Sequence, residues 1–193
     1  MRNLILLLLL FTMPAMMNSQ TKEQKAKFTE YQEQELFKIE DTDIVVSKIM
    51  EDLHGNKDAL YLKVKRFLSK YYANPAEILE IDDKEGGLIL GKAYTRLASW
   101  SMLFSPRLLA ADYTLRIDIK DGRVRVKSTT SQWIYQIDDY SPSYYNILMY
   151  TPFTKKGFTN KHAQTETFFR FVDDMNSLID QLETALRENN DDW

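Results

Sequence analysis

Cysteine is absent from the sequence, which excludes disulfides, thiol nucleophiles, cysteine-based zinc sites and a lipid-modified cysteine. Histidine is scarce. His54 and His162 lie far apart, without neighbours at metal-ligand spacing, and read as loop side chains. The glycines form no phosphate-cradling loop and no Gly-x-Ser-x-Gly elbow, and His-Glu-x-x-His does not occur. No cofactor or metal is expected. Positive charge is short as well: 25 Lys and Arg face 28 Asp and Glu, for a net charge of −3. A nucleic-acid partner is therefore not expected, since phosphate binding needs a basic surface.

Long apolar runs are missing except for one at the start. Residues 4–11 are uniformly apolar, which is short of the about 20 residues that a membrane-spanning helix needs. Arg2 precedes this run, Pro14 breaks it, and a more polar tail follows. Residues 1–19 thus read as an export signal, and the expected address is periplasmic or secreted, with no stable membrane anchor. Residues 20–42 are densely charged and read as a solvated helix or a loose arm, with Phe28 and Tyr31 on a thin apolar side. Residues 43–188 are expected to form a single domain.

Within that domain the periodicities alternate between strand and helix. Residues 44–50 are rich in β-branched side chains and predict a strand. Asn56 is placed to cap a helix over 57–72, in which Leu60, Val64, Phe67, Leu68 and Tyr71 share one side. Asn74-Pro75 ends it. A hairpin follows, with strands at 76–82 and 88–94 around a turn carrying Gly86 and Gly87. Residues 95–110 lack a clear period and read as a linker. A second hairpin is sharper: Tyr113, Leu115, Ile117 and Ile119 alternate with polar residues, Asp121-Gly122 turns the chain, and Val124 and Val126 continue the pattern. One face of this sheet should be apolar and the other wet. Residues 133–160 read as a long aromatic-rich connection, with a short strand near 147–150. A helix over 165–188 closes the domain, with Phe168, Val172, Met175, Ile179, Leu182 and Leu186 on one stripe. The expected fold is α+β: an antiparallel sheet of about four or five strands with two helices packed on one face.

Three segments carry a resemblance. Residues 56–68, residues 78–92 with their Asp-Lys-Glu-x-Gly-x-Ile/Leu-x-Gly-Lys hairpin, and residues 113–125 resemble an uncharacterised family of exported bacterial proteins. That family carries a domain of unknown function with a TBP-like fold. The resemblance spans roughly residues 43–135, and residues 140–158 look particular to this chain. It implies a fold and a compartment. It implies no reaction and assigns no functional residues, and acidity argues against the DNA binding that the fold name suggests.

Two candidate surfaces remain. Trp133, Tyr135, Tyr140, Tyr144, Tyr145 and Tyr150 offer rings with polar handles, suited to a protein or a glycan. Arg116, Arg123, Arg125 and Lys127 make the polar side of the second hairpin locally basic. The leading expectation is a non-catalytic, exported cell-envelope binding module whose partner is an envelope protein or glycan. Two alternatives stay open. One is a hydrolase using carboxylates near the aromatic stretch, such as Asp138 and Asp139. The other is a structural subunit that self-associates.

Overall fold

A strand buried on one face must alternate, and the second hairpin does. Tyr113, Leu115, Ile117 and Ile119 are buried while Arg116 and Lys120 face solvent. The computed structural model describes residues 22–102, 105–130, 132–137, 140–146 and 161–188. The chain runs α1 (Lys22–Glu33), β1 (Lys38–Glu40), β2 (Asp43–Met50), α2 (Lys57–Tyr71), α3 (Pro75–Ile78), β3 (Leu79–Asp83), β4 (Leu88–Met102), β5 (Ser105–Lys120), β6 (Arg123–Thr130), β7 (Gln132–Ile137), β8 (Ser143–Asn146) and α4 (Lys161–Arg187).

The expectation of an α+β fold with an antiparallel sheet holds, but the strand number does not. The sheet has eight strands, in the order β1-β2-β6-β5-β4-β3, with β7 pairing β5 and β8. The extra strands are β1, in the charged N-terminal segment, and β7 and β8, in the aromatic connection. Residues 95–110 continue the first hairpin, so that β4 and β5 are 15 and 16 residues long. No period is visible there because both faces are covered in places: Leu109, Ala110 and Ala111 are all buried. A register slip between Arg96 and Ala98 also breaks the phase. The start of the aromatic connection pairs as β7 and β8. The strand expected at 147–150 lies outside the described residues, as do residues 1–19.

β5 is the spine. Its C-terminal half pairs with β6 and its N-terminal half with β7, with the pairing slipping by one residue between them. β6 and β7 thus form one run along β5, interrupted at a single position. β2 pairs with β6 and β8 with β7, extending the sheet beyond that run.

One face of the sheet is roofed by α2 and α4. Leu60, Val64 and Leu68 of α2 meet Phe168, Val172, Met175, Ile179, Leu182 and Leu186 of α4 over Ile44, Val46, Ile89, Leu115, Ile117 and Val126. Each such side chain contributes about 1.5–3 kcal/mol on full burial. The stripe expected on the last helix is therefore its core face, although the helix begins earlier than expected and includes His162 in its first turn. Residues 76–78 fall in the single helical turn α3 rather than in a strand.

Local chemistry sets the entries and turns. Asn56 Oδ1 accepts the N–H of Ala59 (3.0 Å), the expected cap. Asp121 Oδ1 accepts the N–H of Lys57 (2.7 Å), tying the β5–β6 turn to the start of α2. Gly87 takes φ 67° in the β3–β4 turn. A Cβ there would sit 2.3 Å from the Ile119 carbonyl oxygen, so only glycine fits.

The charged N-terminal segment is a docked helix. Gln24 donates to Glu166 (2.7 Å) and Tyr31 to Asp173 (2.5 Å), and the constant offset sets α1 parallel to α4. Phe28, Phe37 and Phe168 form a ring cluster beneath it, with centroids 5.0–5.9 Å apart.

Candidate interaction surface

The side of the sheet away from α2 and α4 is the wet face that alternation predicts. Antiparallel partners share a face, so the register places its residues in rows. One row holds Asp83, Leu88, Asp118, Arg125 and Ile49; the next holds Ile81, Leu90, Arg116, Lys127 and Ser47. Ile49 is 57% exposed, in a strand whose other face is core, and Ile81 is 41% exposed on the edge strand β3. They stand four strand spacings apart, roughly 19 Å. Tyr94 is exposed further along the same face. The face is not open throughout, since Val45, Ala110 and Ile134 are buried on it.

Asp118 is central to this patch. Its carboxylate accepts from Nε and Nη2 of Arg116 (3.1 and 2.8 Å) and from Nε and Nη2 of Arg125 (3.1 and 2.9 Å). Arg116 foremost, then Arg125, holds the Asp118 carboxyl below the usual carboxylate range against the opposing effect of desolvation. Of the other two basic residues expected on this face, Arg123 pairs with Glu51 (3.6 Å) and Lys127 with Glu40 (2.6 Å). The expected basic surface is thus largely neutralised. The exception is its centre, where one carboxylate serves two guanidinium groups.

The aromatic candidates do not form one surface. Trp133 is only 2% exposed and packs edge-on against Phe171 (6.1 Å) in the core, so it is not an interaction residue. Its Nε1 is buried without an acceptor among the described residues. Tyr135 is half-buried and accepts a hydrogen bond from Arg107. Tyr140 and Tyr144 are exposed, at 75% and 57%. Tyr145 is placed in β8 opposite Trp133. Tyr150, Asp138 and Asp139 lie outside the described residues. The three exposed positions that sequence reasoning missed, Ile49, Ile81 and Tyr94, were signalled by parity. Ile49 is out of phase with the core-facing Val46 and Met50, and on its own side of β2 only Val45 is buried.

Burial raises two carboxylates above their usual range, Asp112 and Asp174. Asp112 projects from the open face, opposite in phase to buried Ala111 and Tyr113, whereas Asp174 lies on α4. The sheet separates them, so they do not converge as an acid–base pair. Nor does any group of three or more His, Cys, Asp or Glu gather to hold a metal ion among the described residues. No helix among them is long and apolar enough to cross a membrane.

Comparison with known proteins places the fold. No curated protein matches the chain. A TBP-like protein from Parabacteroides distasonis, of known crystal structure, superposes with a TM-score of 0.58 at 16% identity, covering 79% of this chain and 98% of that one. A DUF4468 family protein from Bacteroides ovatus superposes with a TM-score of 0.54 at 13% identity, covering 80% and 94%. The matched family segment runs from the loop before α2 to the start of β7, and so contains both hairpins and the Arg116–Asp118–Arg125 triad. Residues 54–133 of this chain match the domain of unknown function DUF4468, which is described as having a TBP-like fold.

Proposed function

We propose that this protein is a non-catalytic interaction module of the cell envelope and that it binds a partner protein through the open face of its sheet. One observation carries the reading. Ile49 and Ile81 are exposed on either side of an arginine pair, in rows that also hold half-buried Leu88 and Leu90. A solvated sheet face has no need of aliphatic side chains at such positions, and interfaces combine apolar anchors with arginine. The anchors here are aliphatic. A glycan would favour aromatic platforms, and the exposed tyrosines Tyr140 and Tyr144 stand outside this patch.

The test is capture of envelope proteins on the immobilised chain. Ile49→Asp and Ile81→Asp are expected to reduce recovery of a specific partner at least about tenfold. Tyr140→Ala is expected to leave recovery unchanged. Equal recovery on all three variants would remove the open face from the function.

A further inference from the structure

Resting on that reading, we infer that the partner presents an acidic, extended segment whose carboxylates dock on Arg116 and Arg125, with apolar side chains on Ile49 and Ile81. Asp118 engages the Nε–Nη2 edge of both guanidinium groups. That grip fixes the two planes and leaves each Nη1 outside the shared contact. A guanidinium fork held in place loses little freedom on binding a carboxylate, and its planar donors match carboxylate geometry. Two arginines share one carboxylate, so the centre keeps one positive charge within a chain of net charge −3. An acidic group is the complement to that charge.

The spacing sets the form of the occupant. Ile49 and Ile81 bracket the pair across roughly 19 Å, which about six residues of extended chain cover at about 3.3 Å each. A segment laid across the strands would place carboxylates over the centre and apolar side chains at both ends. A carboxylated polysaccharide satisfies the centre but leaves Ile49 and Ile81 without apolar partners.

The experiment pans a displayed library of random linear peptides against the full chain, then measures the selected peptides and polygalacturonate by calorimetry. Selected peptides are expected to combine Asp or Glu with Leu, Ile or Val. Affinity should fall at least about tenfold in Arg116→Gln plus Arg125→Gln and in Ile49→Asp, and should weaken with added salt. Arg125→Lys, which keeps the charge but loses the fork, should fall between. Circular dichroism and urea midpoints establish that each variant is folded. Peptides that need Ile49 and Ile81 but ignore the arginines would overturn this inference and leave the open-face reading standing. Polygalacturonate that binds as tightly as the peptides, indifferent to Ile49→Asp, would overturn it in favour of a glycan. Failure to select any peptide to this face would overturn it as well, while the capture experiment above tests the broader reading independently.

Discussion

At the scale of single residues, the most consequential polar contact inside the fold is between two tyrosines. The Tyr72 and Tyr113 hydroxyls lie 2.8 Å apart where α2 meets β5. Burial, before any other cause, raises both phenols, Tyr113 to about 12. Each hydroxyl satisfies the other. Tyr72→Phe or Tyr113→Phe alone strands a buried hydroxyl and should cost about 1–3 kcal/mol, read from urea unfolding. The double Phe variant should cost clearly less than the sum, because both polar groups leave together. The same pair sets an alkaline limit. A phenol raised on folding contributes stability that is fully present below the ordinary value of 10.0 and is lost as pH rises toward about 12. Alkaline titration should therefore unfold the wild type across that interval, with phenolate absorbance and loss of circular dichroism rising together. Early phenolate formation with the fold intact would contradict the burial of the pair.

At the scale of elements, α1 has little core of its own. It holds to α4 through Tyr31, Gln24 and Lys27, and Lys27 lies 5.1 Å from the Tyr31 ring centroid and 4.7 Å from that of Phe169. Tyr31→Ala removes the ring contact with Phe169 and the bond to Asp173. The expected result is faster hydrogen exchange and proteolysis at residues 22–33, with the exchange of β5 and β6 unchanged. An equal change across all elements would show that α1 unfolds only with the whole. Sequence patterns anticipated α2, β2, the β5–β6 hairpin and the stripe of α4, because each presents one apolar side and one wet side. Patterns failed where that asymmetry ends. Ala110 and Ala111 are both buried, so the extension of β5 shows no period. The charged α1 read as a solvated helix or a loose arm, and its docking was not legible, because its contacts are two rings and polar bonds to a helix more than a hundred residues away. Arg116, Arg123, Arg125 and Lys127 were legible as a basic face, but their neutralisation was not. Glu40 and Glu51 reach them from other parts of the chain, and Asp118 reaches Arg125 across a strand.

For the whole molecule, acid stability follows from a distributed set of ion pairs. Arg116 and then Arg125 lower Asp118; Lys65 and then Tyr61 lower Asp82; Lys48 and then Arg187 lower Glu183. A carboxyl depressed on folding contributes stability that is present above its unfolded value and lost as pH falls through its folded one. The urea midpoint should therefore hold at neutral pH and decline below about pH 4. Asp118→Asn combined with Glu183→Gln should flatten that decline. If the double variant loses stability with acid as steeply as the wild type, these pairs are not its source.

The pairing of β2 with β6 also fixes an order of events in time. Ile44 meets Thr130 and Met50 meets Val124, so an early strand depends on a late one. A chain made or threaded from its N-terminus presents β2 long before that partner exists. The β4–β5–β6 meander can close as it emerges, since its turns are short. β2 must wait with only the three-residue β1 beside it and the edge that β6 will cover unpaired, and its Val45-Val46 centre is prone to wrong partners meanwhile. Arrival of β6 and then α4 is the committing step of assembly, and chains truncated before residue 123 should be captured by chaperones rather than fold.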